Sequence, residues 1–124
     1  MPTVQHFDFP FDEENRAEAF YKDVFGWNMQ KYSNPEEPGM DYWYFDTTDE
    51  NGNKGITGGM MKRNGPEHSV INYITVPSID QYTSKIEQSG GKVRISKTEI
   101  PEMGYFAIFT DTENNTLGLF ETKR

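Results

Sequence analysis

From Val4 to Lys62 the chain reads as strand, helix, strand, strand, strand, and from Val70 to Thr122 the same order returns. No other feature limits the fold so strongly. One copy of this unit has a single helix, which can cover only one face of its sheet. The other face must be buried or must hold something. In the first strand, "VQHFDF", alternation puts Val4, His6 and Asp8 on one side and Gln5, Phe7 and Phe9 on the other.

"FDEENRAEAFYKDVFGW" follows as a helix. Ala17, Phe20, Tyr21 and Val24 recur at helical spacing and are expected to form one buried stripe. Asp12, Glu13 and Glu14 suit the positive end of the helix dipole, and Gly26 is a natural stop. "NMQKY" is a short strand, "NPEEPG" a polar loop, "DYWYFDTT" an aromatic strand, "DENGNKG" a turn and "ITGGMMK" the returning strand. After the linker "RNGPEHS" comes the strand "VINYITV" and the helix "PSIDQYTSKIEQSGG". Ser78 and Gln81 are spaced as a capping box, and Ile79, Tyr82 and Ile86 form its apolar stripe. "KVRISKTE", "FAIFTD" and "TLGLFET" complete the second set of strands. Each copy places an acidic turn, "DENGN" or "DTENN", before its last strand. Residue identity between the halves is poor, so the repeat is one of architecture. The expected fold is α+β: one domain, 1–124, of two βαβββ modules, 1–63 and 69–124, forming a cupped mixed sheet with helices outside.

Composition narrows the function. Hydrophobic residues make up only 34% but aromatic ones 15%, so much of the burial must come from rings. The formal charge of -8 argues against nucleic acid and against an anionic membrane surface, and permits cationic or neutral partners. The chain has no cysteine, which excludes disulfides, thiolate metal sites and cysteine nucleophiles. No apolar run is long enough to span a bilayer and the N-terminus lacks a signal-peptide pattern, so a cytoplasmic protein is expected.

In this order and spacing, several stretches resemble the glyoxalase/bleomycin-resistance/dioxygenase superfamily, the vicinal oxygen chelate proteins. They are "HFDF" with "AEAFYKDVFGW", "GGMM", "YITVPSIDQYTSKIEQSGGKV" and "IPEMGYFAIFTDTENNTLGLFE". The resemblance supports the fold and leaves the activity open, because this superfamily hosts isomerases, dioxygenases, epimerases, thiol transferases and drug binders. Its catalytic members usually hold a divalent metal with side chains from four strands. Carried over, the first ligand position falls on His6. The second falls near Gly58 and Gly59, the third on Ile71 with Asn72 one register away, and the fourth on Gly118. Glu121 is three residues further, on the opposite face. One ligand of four survives, and Asp8 beside it would add only one carboxylate. The expectation is therefore no metal and no cofactor. His6 is then a hydrogen-bonded core or cavity residue, or a ligand contact or general base acting without metal.

Tyr73 shares a face with Ile71 and Thr75, and Phe120 shares one with Gly118. "DYWYF" sends Trp43 and Phe45 one way and Tyr42 and Tyr44 the other, with the register left open. Met60 and Met61 split likewise. Gly58, Gly59 and Gly118 offer close approach to the backbone. His68, in the linker, is expected at the solvent. No phosphate loop or nucleophile elbow is present. The reading is a small organic molecule bound in an aromatic cup, lined by His6, Asp8, Gly59, Tyr73 and Phe120, in a homodimer. An enzyme with an atypical or metal-free site and a dimeric interaction module are the alternatives.

Overall fold

The computed structural model describes residues 2–33, 36 and 41–123. Most of the expected "NPEEPG" loop lies outside them. The elements follow as β1 (Thr3–Phe11), α1 (Glu14–Phe25), β2 (Gln30–Tyr32), β3 (Tyr42–Phe45) and β4 (Thr57–Lys62), then β5 (Ile71–Thr75), α2 (Ile79–Gln88), β6 (Lys92–Ile100), β7 (Gly104–Thr110) and β8 (Thr116–Thr122). This is an α+β fold of two βαβββ modules. The chain divides into two compact units, residues 6–70 and residues 71–124 with 1–5.

In the first unit the strand order is β2-β3-β4-β1, with β1 and β4 parallel and the other pairs antiparallel. One face carries Phe9, Phe11, Trp43, Phe45 and Met60, and Ala17, Tyr21 and Trp27 pack against it. Trp27 stacks on Phe45 with ring centroids 4.7 Å apart. The open register of β3 is thereby decided. Trp43 and Phe45 enter the core, and Tyr42 and Tyr44 share the opposite face with His6 and Asp8. The helix differs from expectation at its edges. Ala17 and Tyr21 meet the sheet, while Phe20 and Val24 are more than half exposed. A stripe centred on Tyr21 leaves these two on its outer margin. Gly26 ends α1 in the left-handed conformation, φ 73°, as its position implied.

The second unit has the order β5-β8-β7-β6, again with one parallel pair, β5 with β8. Its core is Val76, Ile79, Ala107, Phe109 and Leu119, with Tyr82 and Ile86 of α2 packed on it. Ser78 caps α2 by accepting from the Gln81 backbone N–H at 3.2 Å. Glu121 adds a second acceptor, its Oε1 taking the Ile79 N–H at 2.7 Å. A carboxylate at that helix end is favoured by the dipole, which gives Glu121 a structural use on the helix side of β8.

The two acidic turns have one construction. Asp49 Oδ1 accepts from the backbone N–H groups of Asn51 and Asn53, and Asp111 Oδ1 from those of Glu113 and Asn115. Gly52 and Asn114 hold the matching left-handed position, φ 83° and 64°. These bonds hold both carboxyls below the usual carboxylate range, chiefly through Asn53 and Asn115.

Tyr73 lies opposite Gly118 across β5 and β8, and its ring occupies the volume a Cβ at 118 would need. Gly118→Ala should destabilise the protein by about 1–3 kcal/mol through overpacking, measured by urea unfolding. In a Tyr73→Ala background the same change should cost much less. Equal costs in the two backgrounds would show that the ring does not impose the glycine.

Candidate functional site

The site is on the face of the first unit turned away from α1. Register sets its plan: His6 pairs with Thr57, Asp8 with Gly59, and Gly59 with Tyr44. His6, Asp8, Thr57, Gly59, Tyr42 and Tyr44 therefore share one surface. Tyr42 leans across Gly59, its hydroxyl occupying the volume of the missing Cβ. From there it meets His6 Nε2 at 2.7 Å and donates to Asp8 Oδ2 at 3.4 Å. His6 Nδ1 lies 2.6 Å from Thr57 Oγ1. The Tyr44 hydroxyl donates to Asp46 Oδ1 at 3.3 Å. The Tyr44 and His6 rings are nearly parallel, 9° apart, with centroids 6.3 Å apart.

These contacts set proton positions. Tyr42 has one hydroxyl hydrogen. Given to the Asp8 carboxylate, it leaves the phenol oxygen to accept from His6 Nε2–H, and Nδ1 then accepts from Thr57. The row runs one way, from Thr57 through His6 and Tyr42 to Asp8. Asp8 is only 3% exposed, so a donor on its carboxylate offsets a large desolvation cost. Burial lowers the His6 pKa from 6.5 to about 4, which keeps the ring uncharged near neutral pH. Burial is also the main cause that raises the Tyr44 phenol, with Asp46 next. The face thus presents neutral rings, hydroxyls and carboxylates.

Of the residues marked from sequence, His6, Asp8 and Gly59 are brought together, with Tyr42 as the link. Tyr73 and Phe120 belong to the second unit, on neighbouring strands, where Thr75 pairs with Phe120. Phe120 is half-buried, with its ring tip close to Gly104. Thr57 was not marked. Its signal was the alternation Thr57, Gly59, Met61, which puts a hydroxyl on the glycine's face. His68 is half-buried rather than at the solvent, its Nδ1 accepting from the Asn64 N–H at 3.0 Å.

A family model for the Glyoxalase/Bleomycin resistance protein/Dioxygenase superfamily matches residues 3–119. The chain belongs to this superfamily. Solved structures agree in fold. A Streptomyces coelicolor methylmalonyl-CoA epimerase in complex with 2-nitronate-propionyl-CoA is 13% identical, with 98% of this chain and 97% of that one covered at a TM-score of 0.71. A hypothetical protein from Bacillus halodurans C-125 is 11% identical, with 99% and 96% covered at 0.71. The methylmalonyl-CoA epimerase from Mycobacterium tuberculosis is 10% identical, with 98% and 88% covered at 0.67. A search of curated proteins gives no match.

At the carried-over positions the side chains engage one another. Both His6 nitrogens are hydrogen-bonded to hydroxyls. Tyr42 covers Gly59, Phe45 covers Gly58 and Tyr73 covers Gly118. Among the described residues, no group of three or more His, Cys, Asp or Glu side chains is placed to hold a metal ion. No described helix is long and apolar enough to cross a membrane.

The lowered His6 pKa makes stability depend on pH. The unfolded ring takes a proton near pH 6.5 and the folded ring only near 4, so the unfolded state binds more protons between these values. Stability is full above about pH 6.5 and falls as pH drops toward 4. With allowance for the partly exposed ring, the loss due to His6 between pH 7 and pH 4.5 should be about 1–2 kcal/mol. Urea unfolding at the two pH values checks this. His6→Gln should remove that share of the loss in a His68→Asn background, which silences the other histidine. An unchanged pH slope in His6→Gln would count against a buried neutral His6.

Proposed function

We propose that this superfamily member binds a small organic molecule on the His6–Tyr42–Tyr44 face and does so without the superfamily's metal. The observation that carries the reading is Tyr42, which fills the space over Gly59 and ties His6 to Asp8. A phenol hydroxyl takes the place of a second metal ligand. The result is a surface of aromatic rings and hydrogen-bonding groups, the usual lining of a small-molecule site. Tyr73 and Phe120 offer a second pair of rings, beside Gly118, on the other unit's own sheet. An aromatic, hydrogen-bonding sheet face is the proposed binding feature.

The likeness to methylmalonyl-CoA epimerases supports a second reading, an isomerase-type enzyme. An imidazole that protonates only near pH 4 is a weak base at neutral pH. That favours binding over proton abstraction by His6. The binding reading also takes the protein as cytoplasmic and homodimeric, with no nucleic-acid or membrane partner. The charge of -8 and the exposed Phe20, Val24 and Phe25 of α1 support it.

Elemental analysis and thermal-shift screening test the proposal. Purified protein should carry no stoichiometric zinc, nickel, iron or manganese. Members of a panel of aromatic amines, alcohols and acids should raise the melting temperature of the native chain. His6→Ala and Tyr42→Ala should lose most of that shift. One divalent transition ion per chain would restore the metal-dependent enzyme. Equal shifts in the native chain and both variants would move binding off this face.

A further inference from the structure

Charge is unevenly shared along the chain. Residues 6–70 hold thirteen acidic and six basic side chains, a surplus of seven out of the formal net of -8. The second unit is close to neutral. The acidic unit is the one whose sheet face carries His6, Tyr42 and Tyr44. Two of its carboxylates lie on that face: Asp8, buried under Tyr42, and Asp46, exposed at the Tyr44 hydroxyl.

We infer that this face is a site for an organic cation, an ammonium group carried on an aromatic or alicyclic body, seated on the Tyr44 ring with Asp46 beside it. The inference rests on the proposed binding reading and names its ligand class. The geometry supplies three parts. Tyr44 is half-buried, which fixes its ring while leaving surface for a ligand. His6 stacks nearly parallel to it, 9° apart with centroids 6.3 Å apart, and backs one side of the ring. Tyr32, close enough to influence the Tyr44 phenol, is 61% exposed and adds a third ring. Ring faces carry negative charge density and attract a desolvated ammonium. Asp46 supplies a full charge at the rim, and the acidic surplus of the unit draws cations toward it. An anionic ligand would meet the exposed Asp46 carboxylate at the rim.

The test uses the full chain and three probes of one shape: benzyltrimethylammonium, benzyl alcohol and benzoate. Binding is followed by amide chemical shifts, which give both affinity and location. Benzyltrimethylammonium should shift amides around Tyr44, Asp46 and His6, and should bind at least about ten-fold more tightly than benzoate. Tyr44→Leu should weaken it about five-fold, whereas Tyr44→Phe, which keeps the ring, should not. Asp46→Asn should weaken it about two- to three-fold and reduce its salt dependence. Urea unfolding of each variant shows that it is folded. Equal binding of benzoate or benzyl alcohol on this face would overturn the cation preference and leave the small-molecule reading standing. Ammonium shifts centred elsewhere, or unaltered by Tyr44→Leu, would overturn this site. If no probe of any charge perturbs the face, both this inference and the binding reading fall.

Discussion

A four-stranded sheet has two faces, and in each module a single helix is available to cover one of them. Side chains alternate, so each strand sends every second residue to a face its helix never reaches. On the helix side the sequence meets this demand with large apolar groups: Phe9, Phe11, Trp43, Phe45 and Met60 under α1, and Val76, Ala107, Phe109 and Leu119 under α2. On the other side each unit lays a tyrosine over a glycine. A tyrosine buries a ring and keeps a hydroxyl, which suits a surface that is neither core nor bulk solvent. Both units apply the same device. Tyr42 lies over Gly59 and Tyr73 over Gly118. The glycine gives up a side chain so that a ring from the next strand can lie down on the backbone.

The two glycines are also positions where the superfamily resemblance puts metal ligands. The tyrosine-over-glycine pairs therefore limit, through packing, what those two positions can hold. Restoring a ligand side chain at 59 would displace the Tyr42 hydroxyl, and with it the donor on Asp8 and the partner of His6 Nε2. The glycine at 59 and the hydrogen-bonded row are one arrangement, and neither can be changed alone without leaving a buried polar group in need of a partner.

Much of this was legible in the sequence. Element order, both helices, the left-handed Gly26 and the acidic turns are local signals, set by residue spacing and turn chemistry. The sharing of a face by His6 and Asp8 follows from alternation alone. What could not be read was the lean of each side chain. Alternation places Tyr42 on one face or the other, but does not show that its ring crosses Gly59 to reach β1, 34 residues away in sequence. Thr57 was missed for a related reason: a threonine on a strand is ordinary until the register sets it opposite His6. The helix stripe misled at Phe20 and Val24 because periodicity gives a direction for an apolar arc and not its width. The sheet under α1 reaches Ala17 and Tyr21 and stops short of the margin.

The electrostatics of the first unit lead toward its ligand. A carboxylate 3% exposed is costly in a unit that already carries a large acidic surplus. A protonated histidine beside it would lessen that cost. Burial instead keeps His6 neutral, and the row of hydroxyls delivers a hydrogen bond where a charge could have gone. Burial thus holds positive charge off the His6 ring, which accords with the proposed cationic ligand. Such a ligand would bind the folded state alone, because the ring face and the carboxylates come together only when β1, β3 and β4 are paired. Ligand affinity and fold stability then draw on the same strand register.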